Sequence, residues 1–259
     1  NSWAGINRDN RMTGVLIVTG GSRGIGAATA KLGGARGYKV AVNYNRNPAH
    51  AEAVVNEIEK AGGRAIAVQA DVSREDDVVR LFETVDRELG PVTALFNNAG
   101  IVHLMKPITE VTESELAEMW RVNITSQFLC AREAAKRMST KFGGKGGAIV
   151  NMSSAAARLG GANGSISYAA SKGAIDTFTT GLALELAPQG IRVTAVRPGL
   201  IETTIHDDMG DKERLAKLGP TVPLGRTGKP EEVAEVVLFL LSPQASYVTN
   251  TIIDIGGGR

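Results

Sequence analysis

The chain has 259 residues, enough for one α/β domain with a full core and not so many that two are required. Hydrophobic residues make up 43% and charged residues 22%, a globular balance, and a net charge of +2 without a basic run argues against a nucleic-acid partner. The single Cys130 excludes an intrachain disulfide, three scattered His give no metal constellation, and no apolar run is long enough to span a bilayer.

Residues 1–12 are polar, lack the apolar core of a signal peptide, and read as a leader or expression remnant ahead of a single domain over 13–259. Met12 is a plausible native start and the cytoplasm the default location. Residues 15–18, Val-Leu-Ile-Val, read as a strand buried on both faces. They run into Thr19-Gly20-Gly21-Ser22-Arg23-Gly24-Ile25-Gly26, and residues 27–36 are Ala-rich and helical. Strand, Gly-rich turn and helix together present backbone N–H groups to a phosphate. Gly33 and Gly34 are poor helix formers there, and close helix–sheet packing is their mild explanation.

Residues 39–44 form the second strand. A dinucleotide site preferring NAD usually has an acidic residue near its end, to hold the ribose 2′-OH. Here the sequence is Asn43-Tyr44-Asn45-Arg46, with no acid. Arg23 and Arg46 offer guanidinium groups suited to a 2′-phosphate, which favours NADP(H) and leaves NAD(H) open. Residues 49–61 read as an amphipathic helix closed by Gly62-Gly63, and 65–69 as the third strand. Asp71-Val72 follows, where a carboxylate accepts either from an adenine amine or from a local turn. Ser73 reads as the N-cap of a helix over 74–89.

The fourth strand, 92–96, ends in Asn97-Asn98-Ala99-Gly100, where open α/β sheets bind ligands. A long helix from Thr112 or Glu113 continues past Asn123 towards Lys141; a mid-helix Asn suggests an exposed face. The fifth strand, 148–152, ends in Ser153-Ser154, and a Gly-rich segment leads to a helix from Tyr168 to about 187. Tyr168 and Lys172 are i and i+4 on that helix, hence on one face. An ammonium beside a phenol favours the phenolate, and the pair can exchange a proton with a substrate oxygen near neutral pH. By itself such a pair is more often half-buried packing with a solvated amine. The sixth strand, 191–196, leads through Arg197-Pro198-Gly199 into 200–229, an irregular stretch of the kind that forms substrate loops. Pro230-Glu231-Glu232 opens a helix, and 251–255 is a seventh strand. The alternation predicts one doubly wound α/β domain of Rossmann type, with a mostly parallel seven-stranded sheet flanked by helices on both faces.

Thr19-Gly20-x-x-x-Gly24-x-Gly26, Asn97-Asn98-Ala99-Gly100, Asn123, Ser154, Tyr168-x-x-x-Lys172 and Pro198-Gly199 stand in this order across residues 13–258. On them the chain resembles the short-chain dehydrogenase/reductase family. Within it, Val40-Ala41-Val42-Asn43-Tyr44, Asn151-Met152-Ser153-Ser154, Tyr168-Ala169-Ala170-Ser171-Lys172-Gly173 and Asp254 look most like the bacterial glucose 1-dehydrogenase type. The resemblance implies Tyr168 as general acid/base, Lys172 as the group that depresses its pKa and binds the nicotinamide ribose, and Ser154 as the residue orienting the substrate oxygen. It further implies that Asn123 kinks its helix and holds a water in a proton relay. The implied cofactor set is Gly20, Ser22, Arg23, Gly24, Ile25 and Gly26 in the turn, with Asn43, Tyr44, Asn45 and Arg46 after the second strand. Asp71, Val72, Asn98, Ala99 and Gly100 follow the third and fourth strands. Tyr168, Lys172, Pro198, Gly199, Ile201 and Thr203 complete it. A homotetramer is implied too, with helices around Asn123 and Tyr168 packed on a partner; Ala131, Ala134, Ala135 and 182–186 offer small and apolar surfaces.

Ser154 precedes Tyr168 by 14 residues, one more than the family's commonest spacing; Ser153 fits less well. Asn250 stands where the family often has Gly. His103, Arg158, His206 and Met209 lie in segments expected near the pocket. The function expected is an NAD(P)(H)-dependent oxidoreductase interconverting a secondary alcohol, a sugar among the candidates, and its carbonyl compound. The alternatives are a 3-oxoacyl carrier-protein reductase, which the segment Ile101-Val102-His103-Leu104-Met105 disfavours, and a dinucleotide-sensing protein without turnover.

Overall fold

A computed structural model of the chain describes residues 12–162, 164–205, 209–211 and 213–259. The expected leader, apart from Met12, and His206 lie outside the described residues. Val15–Val18 forms β1, buried throughout, and its residues alternate between two core clusters. Leu16 and Val18 face one helical layer; Val15 and Ile17 face the other. This double burial is why the strand reads as an unbroken apolar run rather than an alternating one.

The remaining strands are β2 (Lys39–Tyr44), β3 (Arg64–Gln69), β4 (Ala94–Asn97), β5 (Gly147–Met152), β6 (Ile191–Pro198) and β7 (Thr251–Ile255). They form one sheet in the order β3-β2-β1-β4-β5-β6-β7, and every pairing is parallel. The helices are α1 (Gly24–Ala35), α2 (Pro48–Lys60), α3 (Glu75–Glu88), α4 (Glu113–Trp120), α5 (Ser126–Met138), α6 (Ala156–Leu159), α7 (Ile166–Leu186), α8 (Arg214–Leu218) and α9 (Pro230–Leu241). Buried side chains of α1, α2 and α9 build one core cluster; those of α3, α5 and α7 build the other.

The glycines inside α1 have a packing cause. A Cβ on Gly33 would stand 2.9 Å from Leu16 Cδ2 of β1, and one on Gly34 only 2.5 Å from Ile58 Cγ2 of α2. The helix sits closer to its neighbours than a side chain permits.

Several local expectations change. Ser73 does not cap α3; its N–H and its hydroxyl both donate to Asp71 Oδ1, at 3.0 and 2.6 Å, and Arg74 occupies the N-cap without a side-chain bond. The helix expected to run unbroken through Asn123 is α4, a π-helical turn Arg121–Thr125, and α5. Asn123 is fully buried, not on an exposed face. Asn250 has φ 53°, the one non-glycine residue in the left-handed region among the described residues, which accounts for an Asn at a position that suits Gly.

Candidate active site

In a sheet ordered this way the connections leave β1 and β4 in opposite directions, so a crevice opens at their carboxyl ends. Thr19–Gly26 lies on one side of it and Asn97–Gly100 on the other. Thr19 Oγ1 joins them, accepting from the N–H groups of Asn98 and Ala99 at 2.9 and 3.0 Å. Asn98 Nδ2 returns two bonds, to Thr19 O at 2.9 Å and Gly20 O at 3.1 Å. Asn43 braces the turn from β2: its Oδ1 accepts from Gly20 N at 3.1 Å while its Nδ2 donates to Val68 O and Ala70 O. The side-chain amides of Asn43 and Asn98, both expected among the cofactor residues, are hydrogen-bonded within the protein and shape the turn.

The turn fits a dinucleotide. A Cβ on Gly26 would lie 2.4 Å from Gly20 O and 2.7 Å from Asn98 Nδ2, so only glycine allows this closure. Gly20 and Gly24 have φ of 59° and 53°. No side chain caps α1, so its first-turn N–H groups are available to an anion. A Cβ on Gly24 would meet Thr203 Cγ2 at 3.2 Å, which puts Thr203 across the turn. Arg23, Asn45 and Arg46 are exposed, Ser22, Ile25 and Tyr44 half-buried, and Val72 buried. The side chains of Arg23 and Arg46 have no hydrogen-bond or ion-pair partner among the described residues. Asp71 Oδ1 is taken by Ser73, so its local turn role is realised.

Further along the same edge, β5 delivers Ser154 and α7 delivers Tyr168 and Lys172. Ser154, whose Oγ accepts from Ala156 N at 3.1 Å, stands beside the Tyr168 phenol and acts to lower its pKa. Ser153 is buried and donates to Lys172 O at 3.2 Å, so of the adjacent serines only Ser154 faces the phenol. Lys172 is buried; its Nζ donates to Met152 O at 2.9 Å and lies 5.6 Å from the centre of the Tyr168 ring. Burial pushes the ammonium down to about 8, opposed by the charge of Asp176 one turn further along α7. Burial also pushes the Tyr168 phenol up, and the neighbouring Ser154 acts the other way. Burial is the largest cause of the Tyr168 shift, and the Lys172 ammonium, expected to lower the phenol, donates here to a carbonyl.

Asn123 holds the loop after β4. Its Oδ1 accepts from Ile101 N at 2.7 Å, and its Nδ2 donates to Ile101 O at 2.9 Å and to Ser171 Oγ at 3.1 Å. The π-helical turn is the kink, and the amide is spent on the protein. A Cβ on Gly100 would lie 3.2 Å from Asn123 Oδ1 and 3.6 Å from Lys172 Nζ, so Gly100 permits this contact. Pro198-Gly199 ends β6, with Gly199 against Gly256, and the buried Ile201 bridges to Gly228. His103 pairs with Glu118 at 3.2 Å, Arg158 Nη2 donates to Arg259 O at 2.9 Å, and Met209 O accepts from Met105 N at 3.3 Å. Thr19, Gln127 (Nε2 to Met152 O, 3.2 Å) and Ser171 were not among the expected site residues, although Thr19 and Ser171 stand inside the motifs quoted above.

A family model described as enoyl-(acyl carrier protein) reductase matches residues 20–259. The oxidoreductase YgfF of Escherichia coli (strain K12), itself uncharacterized, is 50% identical over 95% of this chain and 99% of that protein. The chain belongs to the short-chain dehydrogenase/reductase family. A 3-oxoacyl-[acyl-carrier-protein] reductase of Synechocystis is 40% identical over 94% of this short-chain dehydrogenase/reductase and 96% of its own length. A short-chain type dehydrogenase/reductase from Mycobacterium marinum superposes with a TM-score of 0.89 at 34% identity, covering 96% of both chains. The protein is therefore an oxidoreductase of a family that works with NAD(P)(H). No helix among the described residues is long and apolar enough to cross a membrane.

Proposed function

We propose that this oxidoreductase interconverts a secondary alcohol and its carbonyl compound with NADP(H) preferred over NAD(H). The observation that carries the reading is the Tyr168 phenol flanked by Ser154 and by the buried Lys172, whose Nζ lies 5.6 Å from the ring centre, along the same sheet edge as the phosphate turn. The nicotinamide, held by the turn and by the stretch 198–203, would supply or accept the hydride. In reduction Tyr168 gives its proton to the carbonyl oxygen while the Ser154 hydroxyl steadies that oxygen. In oxidation the direction reverses and Tyr168 takes the proton. Lys172 provides positive charge beside the phenol. The NADP(H) preference rests on the acid-free end of β2 and on unpaired Arg23 and Arg46. Replacing both arginines by Ala should weaken NADPH binding at least tenfold and leave NADH binding within about twofold, because charge-assisted bonds to a 2′-phosphate are among the strong ones. Equal loss for both nucleotides would refute the preference.

Two substrate readings follow. Sugar-type alcohols fit the likeness to glucose 1-dehydrogenases. An acyl thioester is favoured by the carrier-protein reductase relative and by exposed Leu104, Ile108, Leu159 and Ile166, all on segments adjoining the catalytic residues. Turnover of acetoacetyl thioester and not glucose would select the second; the reverse would select the first. Tight NADPH binding with no reaction across a broad panel would contradict both and leave a nucleotide sensor. Assembly is proposed as a homotetramer through α5 and α7, where Phe128 stacks on Phe178 at 3.8 Å while remaining 48% exposed. The location is proposed as cytoplasmic.

A further inference from the structure

Tyr168, Lys172 and Asp176 follow one another at four-residue intervals on α7, so they stand on one face of the helix, a turn apart. Side chains on a helix lean towards its N-terminus, which directs the Asp176 carboxylate towards Lys172. The surroundings are closed to water: Lys172 is buried, and the Asp176 and Arg197 side chains are only 15% and 18% exposed. Arg197, from the end of β6, gives both Nε and Nη2 to the same oxygen, Asp176 Oδ2, at 3.0 and 2.8 Å. The other oxygen, Oδ1, is buried and accepts no hydrogen bond among the described residues. The guanidinium is therefore not set fork-to-fork on the carboxylate; it fixes one oxygen and leaves the second without a donor.

Lys172 is short of partners. Its ammonium carries three donors, and the acceptor it reaches, Met152 O at 2.9 Å, also takes Gln127 Nε2 at 3.2 Å. A buried ammonium without a nearby negative charge gives up its proton easily. The charged groups on the elements packed against α7 are committed elsewhere or face water. β5 has no titratable side chain. On α4, Glu115 pairs with Lys106, Glu118 with His103, and Glu113 is exposed. Arg121 of the π-helical turn is exposed. On β6, Arg192 is bonded to Leu240 O and Ser242 O. Arg158 of α6 faces Asp254 of β7 at 3.6 Å, and Asp254 is joined to Arg197 at 3.8 Å. On α7 itself, Glu185 is exposed near the opposite end. Asp176 remains, and its charge is what opposes burial at the Lys172 ammonium.

Resting on the acid/base reading of Tyr168 and Lys172, we infer that Asp176 is a positioning residue of the same site: clamped by Arg197 through one oxygen, its carboxylate keeps the Lys172 ammonium charged beside the phenol. The sign follows from the charges. A carboxylate favours the protonated amine, so its removal lets Lys172 release the proton at lower pH. Arg197 holds the carboxylate in place, and Asp254 acts on the arginine alone.

The test follows the carbon-13 resonance of Lys172 Cε against pH in the full chain, without nucleotide or substrate, with Lys172→Met assigning the signal. In Asp176→Asn, which keeps the shape and an acceptor for Arg197, the proton affinity of Lys172 should fall by about threefold or more. Asp254→Asn removes the other carboxylate on Arg197 and should leave the Lys172 titration unchanged. If Asp176→Asn does not fold, the double variant Asp176→Asn with Arg197→Met removes both charges together and is read in its place, with the same direction expected. An unchanged or raised midpoint in the folded variant, or an equal fall in Asp254→Asn, would overturn the inference. The readout is the lysine's own titration, so a Tyr168→Phe enzyme that still turns over would remove the acid/base reading and leave this coupling standing.

Discussion

Lys172 carries a charge into a place where burial opposes it. Its folded pKa of about 8 lies below the ordinary 10.5, a difference corresponding to about 3 kcal/mol against the charged form at neutral pH. The sign follows from proton binding. Between pH 8 and 10.5 the unfolded chain holds this proton and the folded chain has released it, so stability from this group rises with pH through that window and the penalty is complete below it. Replacing Lys172 by Met removes the penalty, and Met152 O keeps the donor Gln127 Nε2. Lys172→Met should therefore be about 1–3 kcal/mol more stable to urea at pH 7, with the advantage shrinking towards pH 10.5, while activity collapses. Denaturation curves at several pH values check this; a destabilised variant at pH 7 would contradict it. The raised Tyr168 phenol acts in the same sense on catalysis. It is an acid through neutral pH, suited to carbonyl reduction, and the oxidation rate should climb as pH rises.

At the scale of elements, the contacts that matter are close approaches. Gly34 lets α1 lie on α2 where a methyl group would stand 2.5 Å from Ile58. Gly34→Ala should cost about 1–3 kcal/mol, the usual penalty for overpacking, read as a lowered urea midpoint at unchanged slope. A neutral effect would mean that the two helices separate without cost. Here the limits of sequence reading are plain. The strands were legible because double burial writes uninterrupted β-branched runs, as in Val15–Val18, and the turn was legible because glycines with positive φ sit between such a run and a helix. Asn123 was misread because its partners, Ile101 and Ser171, are 22 and 48 residues away. Helix propensity describes an isolated helix, and a π-helical turn around a buried amide arises from tertiary bonds. The Asp176–Arg197 pair, which joins α7 to β6 across 21 residues, left no local signal for the same reason.

For the whole molecule, the sheet order sets where chemistry happens and leaves the outer faces for assembly. Ala131 and Ala134, expected on an intersubunit surface, are instead packed in the chain's own core. The exposed apolar groups of α5 and α7 include Phe128 and Leu184, at 48% and 64%. Phe128→Asp with Leu184→Asp should shift sedimentation from the proposed tetramer to smaller species, since charge placed in an apolar contact costs its full desolvation. A wild-type monomer would refute the assembly. The central claim concerns one phenol placed between a serine and a lysine, and it is tested most directly by Tyr168→Phe. Nucleotide binding, followed by NADPH fluorescence, should remain within about twofold of wild type while kcat/KM falls roughly 10²–10⁴-fold, the usual worth of a positioned general acid. Turnover near the wild-type rate would contradict the account.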